Sequence, residues 1–287
     1  MRALEVLRAG LRTTVQDAGR IGLAHLGIPR SGAADLGALQ LANRLVGNPP
    51  NRAGLEVTLS GCALRPTRAV TIAVTGAACT VRIDGRAADW GLPLAVPAGA
   101  AVEIGPAYRA LRSYVAVSGG IAVRPVLGSR ATDTLSGLGP APVTDGVVLP
   151  VGEHRGPPPG VDLAPYPPPP SRLTLRVWLG PRDDWFTDAA VTTFFHTEYA
   201  ISPLTDRIAA RLTGAALQRA ADGEIASEGV VLGAVQVPAD GLPLIFLIDH
   251  PTTGGYPVIG VVDPADLPAV TQARPGTPVR FAAVRQP

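Results

Sequence analysis

Four glycine-rich polar segments hold the side chains of this sequence best equipped for chemistry. The first, at 13–20, reads Thr13-Thr14-Val15-Gln16-Asp17-Ala18-Gly19-Arg20 and continues through Gly22, His25, Gly27, Pro29, Arg30, Ser31, Gly32 and Asp35. Gln16, Asp17, Arg20 and Ser31 supply a planar amide, a carboxylate, a fork-shaped cation and a hydroxyl. That set suits a carboxylate, a carboxyphosphate or an amide. Glycines let backbone approach a ligand closely, and free amides in such a loop can hold an oxyanion. The same residues also fit a purely structural loop, with Asp17 paired to Arg20 and Ser31 capping the next helix. The second segment joins Arg112-Ser113-Tyr114, Ser118-Gly119-Gly120 and the stretch LGSRATD at 127–133. The third joins Asp206-Arg207, Ser227-Glu228-Gly229 and Gln236-Val237-Pro238. The fourth, at 249–257, runs from Asp249-His250 through Thr252, Thr253 and a double glycine to Tyr256-Pro257. Asp17, Arg20 and Asp249 are the candidate catalytic groups. Gln16, Ser31, Arg112, Tyr114, Asp206, Arg207, Glu228, Gln236 and Thr253 are candidates for binding substrate. Arginine would stabilise developing negative charge, and the acids would handle protons. His250 beside Asp249 could transfer a proton, but neighbours on a strand face opposite ways. Ordinary turns would account for 127–133 and 252–255 equally well.

Several self-contained mechanisms are excluded. All 25 basic residues are Arg, so there is no P-loop lysine, no Schiff-base lysine and no attachment point for a lysine-linked biotin or lipoyl arm. Ser118 lacks the leading glycine of a nucleophile elbow, and no His-Glu-x-x-His or Gly-x-Gly-x-x-Gly motif occurs. His25, His154, His196 and His250 are scattered, and no metal ligand set is expected. Cys62 and Cys79 lack the spacing of a zinc or redox motif; they read as buried thiols, and a disulfide between them stays open. The net charge of +2 comes from scattered Arg, Asp and Glu rather than a basic patch, so no nucleic-acid partner is expected. The charged first ten residues do not read as a signal peptide, and no apolar run is long enough for a membrane helix. The expectation is a cytoplasmic protein without a membrane partner.

The elements that must position these residues are mostly strands. A length of 287 residues suggests about two domains, and 33 Gly with 30 Pro argue against long helices. One helix is expected over 33–46, capped by Ser31 and stopped by Gly47, with Leu36, Leu39, Ala42, Leu45 and Val46 as its apolar stripe. Strands are expected at 69–74, 79–84, 101–104 and 112–117, with Thr75-Gly76-Ala77-Ala78 as a hairpin turn. In the second half, strands are expected at 173–179, 208–212, 230–237, 243–249, 258–262 and 279–284. Helices are expected at 183–195, capped by Asp183, and at 264–270, opened by Pro264. The stretch GPPPGVDLAPYPPPP at 156–170 reads as a stiff connector, or else as a proline-rich ligand for a partner's groove. The expected architecture is mainly β with a few short helices, as two β-barrel lobes at 1–155 and 171–287 joined by that connector.

Taken in order, the segments resemble one family. They are TTVQDAGRIG at 13–22, GIPRSGAAD at 27–35, LANRLVGN at 41–48, LEVTLSG at 55–61, RSYVAVSGGI at 112–121, LGSRATD at 127–133, SEGVVLGAVQVPADGLP at 227–243 and TTGGYPVI at 252–259. Together they resemble the carboxyltransferase C/D-domain family. Its members include the C subunit of 5-oxoprolinase, the protein long called allophanate hydrolase subunit 2, and the antagonist of a sporulation-kinase inhibitor. The resemblance implies cyclophilin-like β-barrels and an A/B-domain partner similar to the B subunit of 5-oxoprolinase. It implies an enzyme subunit, inactive alone, that works with a lactam-hydrolysing subunit to open 5-oxoproline, a small amide, to glutamate with ATP. It also admits a carboxyltransferase module of a biotin-dependent urea or amide carboxylase, with biotin on another chain. A third implied role is a non-catalytic regulator that binds an A/B-domain protein. One departure is Asp206-Arg207-Ile208-Ala209, where the family often has Asp-Arg-Met-Gly; alanine does not reproduce the close backbone approach of glycine.

Overall fold

The computed structural model describes residues 2–154, 156, 160, 167, 169–221, 223 and 225–284. Most of the connector at 156–170 lies outside the described residues. Among the described residues the chain is mainly β with three short α-helices. It divides into two compact units: Met1–Ile21, Ser31–Asp133 and Gly137–Pro168 form the first, and Gly22–Arg30, Thr134–Ser136 and Pro169–Pro287 form the second. Two short segments of the first half are thus part of the second unit. Among the described residues no helix is long and apolar enough to cross a membrane.

The first unit contains, in chain order, β1 (Ala3–Arg8), β2 (Arg12–Gln16), α1 (Leu36–Leu45), β3 (Gly54–Thr58), β4 (Cys62–Pro66), β5 (Val70–Gly76), β6 (Cys79–Ile83), β7 (Arg86–Ala88), β8 (Leu94–Val96), β9 (Val102–Ala107), β10 (Arg112–Val117) and β11 (Val148–Pro150). They form a six-stranded sheet, β11-β1-β4-β9-β6-β7, and a five-stranded sheet, β2-β3-β10-β5-β8. Leu4, Val6, Leu64, Val102 and Ile104 of one sheet and Leu55, Val57, Ile72, Val74 and Val115 of the other fill a shared core. Because β5 and β6 lie in different sheets, Thr75-Gly76-Ala77-Ala78 is a crossover between sheets, not a hairpin turn. Strand pairing is a non-local choice that the turn residues do not reveal.

Strand β10 is buried along both faces. Val115 and Val117 point into the core, while Tyr114 and Ala116 pack beneath α1 against Ala38, Leu39, Ala42 and Leu45. The helix starts later than expected, and Asp35 rather than Ser31 is its cap, accepting a bond from Ala38 N at 3.1 Å. Ser31 instead holds a left-handed φ of 51° and turns its hydroxyl to Thr132 O. Tyr114 fixes the start of the helix. Its hydroxyl donates to Glu56 Oε2 (2.9 Å) and accepts from Asp35 N (2.7 Å). Glu56 also accepts from Ala34 N at 2.9 Å and lies 3.5 Å from Arg112 Nε. Burial, and then the negative Glu56 and Asp35, push the Tyr114 phenol well above its ordinary pKa, so it stays protonated and keeps donating.

The second unit contains β12 (Leu173–Leu179), α2 (Asp188–His196), β13 (Tyr199–Ile201), β14 (Ala209–Thr213), β15 (Glu228–Gly229), β16 (Ala234–Gln236), β17 (Leu244–Phe246), β18 (Thr253–Gly254), β19 (Val258–Val262), α3 (Leu267–Gln272) and β20 (Pro278–Ala283). Seven strands close a barrel in the order β12-β19-β16-β17-β14-β13-β20, sealed by the parallel pair β12–β20. In β12, Leu173, Leu175 and Val177 point inward and Thr174 and Arg176 outward, the period-two alternation of a barrel wall. The helix expected at 183–195 is a 3-10 turn at Asp183–Trp185 followed by α2, whose cap is Thr187, bonded by Ala190 N at 3.1 Å. Likewise α3 begins at Leu267, with Pro268 rather than Pro264 in its first turn.

Two outcomes follow for stability. Tyr114→Phe removes the buried bonds to the Asp35 amide and to Glu56 Oε2, which keeps Ala34 N, so urea unfolding should show a loss of about 1–3 kcal/mol. Cys62 and Cys79 are both free and buried. Burial pushes the Cys62 thiol up to about 12 and raises that of Cys79. A thiol reagent at pH 8 should therefore modify neither in the native protein and both in urea. Fast native labelling of either would contradict this placement.

Candidate functional site

In the first unit, the four leading residues of the sequence analysis converge on the stretch 129–132. The stretch is carried there by β2, the edge strand of its sheet, whose backbone it borders: Thr132 N donates to Val15 O at 2.9 Å, and Val143 N to Thr13 O at 2.8 Å. Asp17, directly after β2, clamps it. Its Oδ1 accepts from Ser129 Oγ (2.6 Å) and Gly19 N (2.9 Å), and its Oδ2 from Arg130 N (2.6 Å). Gln16 Nε2 donates to Thr132 O (2.9 Å) and Thr14 Oγ1 (3.0 Å). Ser31 Oγ donates to the same Thr132 carbonyl at 3.2 Å. Arg20 Nη2 donates to Ala131 O at 2.6 Å. Asp17 therefore does not pair with Arg20; its carboxylate is consumed by the loop.

The polar atoms left over define what the cluster can hold. Arg20 is only 2% exposed, yet its Nε and Nη1 have no hydrogen-bond partner. Gln16 Oε1 and Thr132 Oγ1 are also buried without partners. Among the described residues no carboxylate is ion-paired with Arg20. A buried guanidinium with idle N–H groups is costly unless an anion reaches it. The seat is tight: Gly139 adopts φ +89°, and any Cβ there would collide with Ala131 O and come within 2.7 Å of Arg20 Nη2. The cluster thus offers idle donors on a fixed cation, an amide acceptor and a hydroxyl, the complement of a small acid that also carries an N–H.

The other candidates lie elsewhere. Arg112 and Tyr114 belong to the Glu56 network under α1. In the second unit, Arg207 and Asp249 form a buried bidentate pair, Nε to Oδ2 at 2.9 Å and Nη2 to Oδ1 at 3.0 Å. Thr134 N and Oγ1 add bonds to Oδ2 at 3.0 and 2.8 Å. Both Asp249 oxygens are thereby occupied, which favours a holding role over proton transfer. Asp206 caps its own turn through Ile208 N (2.7 Å) and Ala209 N (3.1 Å), with Ala209 buried on β14. Glu228 takes a 2.7 Å ion pair from Arg182 beside the small ribbon β15–β18, where Thr253 faces Gly229. Gln236 Nε2 ties to Tyr256 O at 2.9 Å, and His250 Nδ1 lies 2.6 Å from Pro251 O. The third and fourth segments do meet, in a set whose charges are satisfied. The residues missed by sequence reasoning are Ser129 and Thr132, which sit within the stretch already singled out, and Thr134 and Glu56, which carried no signal beyond their type. Among the described residues no three His, Cys, Asp or Glu gather to hold a metal.

Known proteins align with nearly the whole of this chain. A family model described as "Carboxyltransferase domain, subdomain A and B" matches residues 26–283, so subdomains A and B lie in this chain, where a C/D chain with a separate A/B-domain partner was expected. The 5-oxoprolinase C subunit of Escherichia coli is 37% identical over 97% of this chain and 90% of that protein. The crystal structure of TTHA0988 superposes with a TM-score of 0.89 at 35% identity, over 98% of this chain and 56% of that one. The urea amidolyase of Kluyveromyces lactis superposes with a TM-score of 0.91 at 29% identity, over 99% of this chain and 19% of that chain. The chain therefore spans about half of TTHA0988 and about a fifth of the amidolyase.

Truncating Asp249 tests the satisfied pair. Asp249→Ala leaves Arg207 buried and uncompensated, and denaturant unfolding should lose about 3–5 kcal/mol.

Proposed function

This chain belongs to the carboxyltransferase-domain family, and we propose on that premise that it is the C subunit of an ATP-dependent 5-oxoprolinase. The observation that carries the reading is coverage: the likeness to the Escherichia coli protein runs through 97% of this chain and 90% of that one. In this reading the chain acts with a second subunit, similar to the B subunit of 5-oxoprolinase, and a lactam-hydrolysing subunit. The complex consumes ATP and opens 5-oxoproline to glutamate. This chain binds no cofactor covalently.

The Arg20 cluster supports the same reading chemically. 5-Oxoproline carries a carboxylate and a lactam N–H. The idle N–H groups of Arg20 would take the carboxylate, or the oxyanion that forms as the lactam carbonyl is attacked, and Gln16 Oε1 would accept the lactam N–H. Thr132 Oγ1 supplies one more bond. Asp17 and Ser31 position the loop rather than touch the substrate. All of these residues are buried, so the loops must part to admit substrate, a role we assign to docking of the B-like subunit.

A second reading rests on the amidolyase superposition: a carboxyltransferase module of a biotin-dependent urea or amide carboxylase. Lacking lysine, this chain would receive carboxylated biotin from another chain.

Mixing the purified chain with its B-like and lactam-hydrolysing partners, ATP and 5-oxoproline should yield glutamate. Arg20→Gln, if its thermal melt is retained, should lower kcat/KM by roughly 10²-fold, in line with loss of an oxyanion donor. Absence of glutamate with every protein folded would refute the assignment. ATP-dependent carboxylation of urea with a biotin-carrying chain would favour the second reading.

A further inference from the structure

The Ser118-Gly119-Gly120 motif, unused by the Arg20 cluster, borders a surface cavity of its own in the first unit. The cavity measures about 510 Å³, within the usual range for small-molecule sites. Its polar side is Arg2, Ser118 and His154, and its apolar side includes Val70, Ala95 and Val96. None of these residues belongs to the cluster at 129–132.

The polar side is held rigidly. Ser118 follows β10, and its backbone N donates to Thr71 O at 2.8 Å on neighbouring β5. Gly119 takes φ +96° and packs so closely on Gly152 that any Cβ would collide with the Gly152 carbonyl. Its N–H is fixed by Asn48 Oδ1 at 2.7 Å. Arg2 spans the same junction, with Nη1 donating to Gly152 O (3.1 Å) and Nη2 to Ser118 Oγ (2.7 Å). That leaves donors of its guanidinium unspent. Among the described residues Arg2 has no ion-paired carboxylate. Ser118 Oγ accepts a second bond, from Thr71 N at 3.1 Å, so its own proton remains to be donated. His154 Nδ1 is buried with no partner.

An unpaired cation, a hydroxyl proton and an imidazole nitrogen together call for an anion. The apolar wall beside them calls for a carbon body on that anion. We propose that this cavity binds a small organic carboxylate, its head held by Arg2, Ser118 Oγ–H and His154, and its short chain laid against Val70, Ala95 and Val96. This site does not depend on the 5-oxoprolinase reading, and its occupancy can be measured without turnover.

The test is titration of the full chain with butanoate, read by calorimetry and saturation-transfer NMR, with butanamide and inorganic phosphate as comparison probes. Butanoate should bind saturably, at least tenfold more tightly than butanamide. Arg2→Gln should weaken it at least tenfold, and Arg20→Gln should leave it unchanged. Ala95 is exposed on the edge strand β8, so Ala95→Phe should block the apolar wall while preserving the thermal melt, and should also weaken binding at least tenfold. That variant keeps the test open should Arg2→Gln fail to fold. The proposal is overturned by absence of saturable butanoate binding, by equal affinity for butanamide, by tighter binding of phosphate, or by affinity that Ala95→Phe does not change.

Discussion

The carboxylate of Asp17 joins the strand-end loop of β2 to a stretch 112 residues later in the chain. Three short bonds, to Ser129, Arg130 and Gly19, use both of its oxygens. Closing so long a loop carries an entropic cost that one neutral hydrogen bond would hardly offset. Bonds to an ionised carboxylate are roughly twice as strong, and their burial shields them from competing water. The carbonyls of Ala131 and Thr132 are then fixed, and they in turn orient Arg20, Gln16 and Ser31. Without the clamp, the cluster has no floor.

Two buried arginines, Arg20 in the first unit and Arg207 in the second, differ in one respect. Arg207 is fully compensated, since Asp249 meets it through two bonds and Thr134 steadies the carboxylate. Such a pair is closed to outside ligands, because a competing anion would have to displace a charge already in contact. Arg20 has one carbonyl partner, and a carbonyl dipole does not cancel a full charge. On that contrast we propose a structural role for Arg207 and ligand binding for Arg20. Residue type alone could not separate them, as both are Arg in polar segments.

What the sequence made legible follows from range. Local signals were sound: the alternation in β12, the apolar stripe of α1 and the turn chemistry at Gly47 all appear as expected. That Gln16, Asp17, Arg20 and Ser31 gather on one stretch was legible because they supply four different polar functions within one glycine-rich segment. The errors were of partner choice. Ser31 and Asp183 both looked like helix caps, but Asp35 and Thr187 won the positions, since a cap is decided by where the first turn of amides points. The crossover at Thr75 to Ala78 looked like a hairpin because nothing within four residues states which sheet comes next. Arg112 and Tyr114 looked like ligand groups because a buried polar network and a binding site draw on the same residues.

The absence of lysine gives these sites a common physical basis. A buried lysine loses charge readily, since its single ammonium must be desolvated whole and its pKa falls with burial. A guanidinium spreads its charge over three nitrogens and stays protonated, so it can be buried and still attract an anion. It also divides its labour. Arg20 spends Nη2 on the Ala131 carbonyl and keeps Nε and Nη1, and Arg2 spends one bond on Gly152 and one on Ser118 while retaining other donors. One ammonium nitrogen could not be anchored in one direction and present a planar fork in another. A chain restricted to arginine can therefore build cationic seats into its own backbone, at the cost that a substitution there removes anchor and ligand contact together.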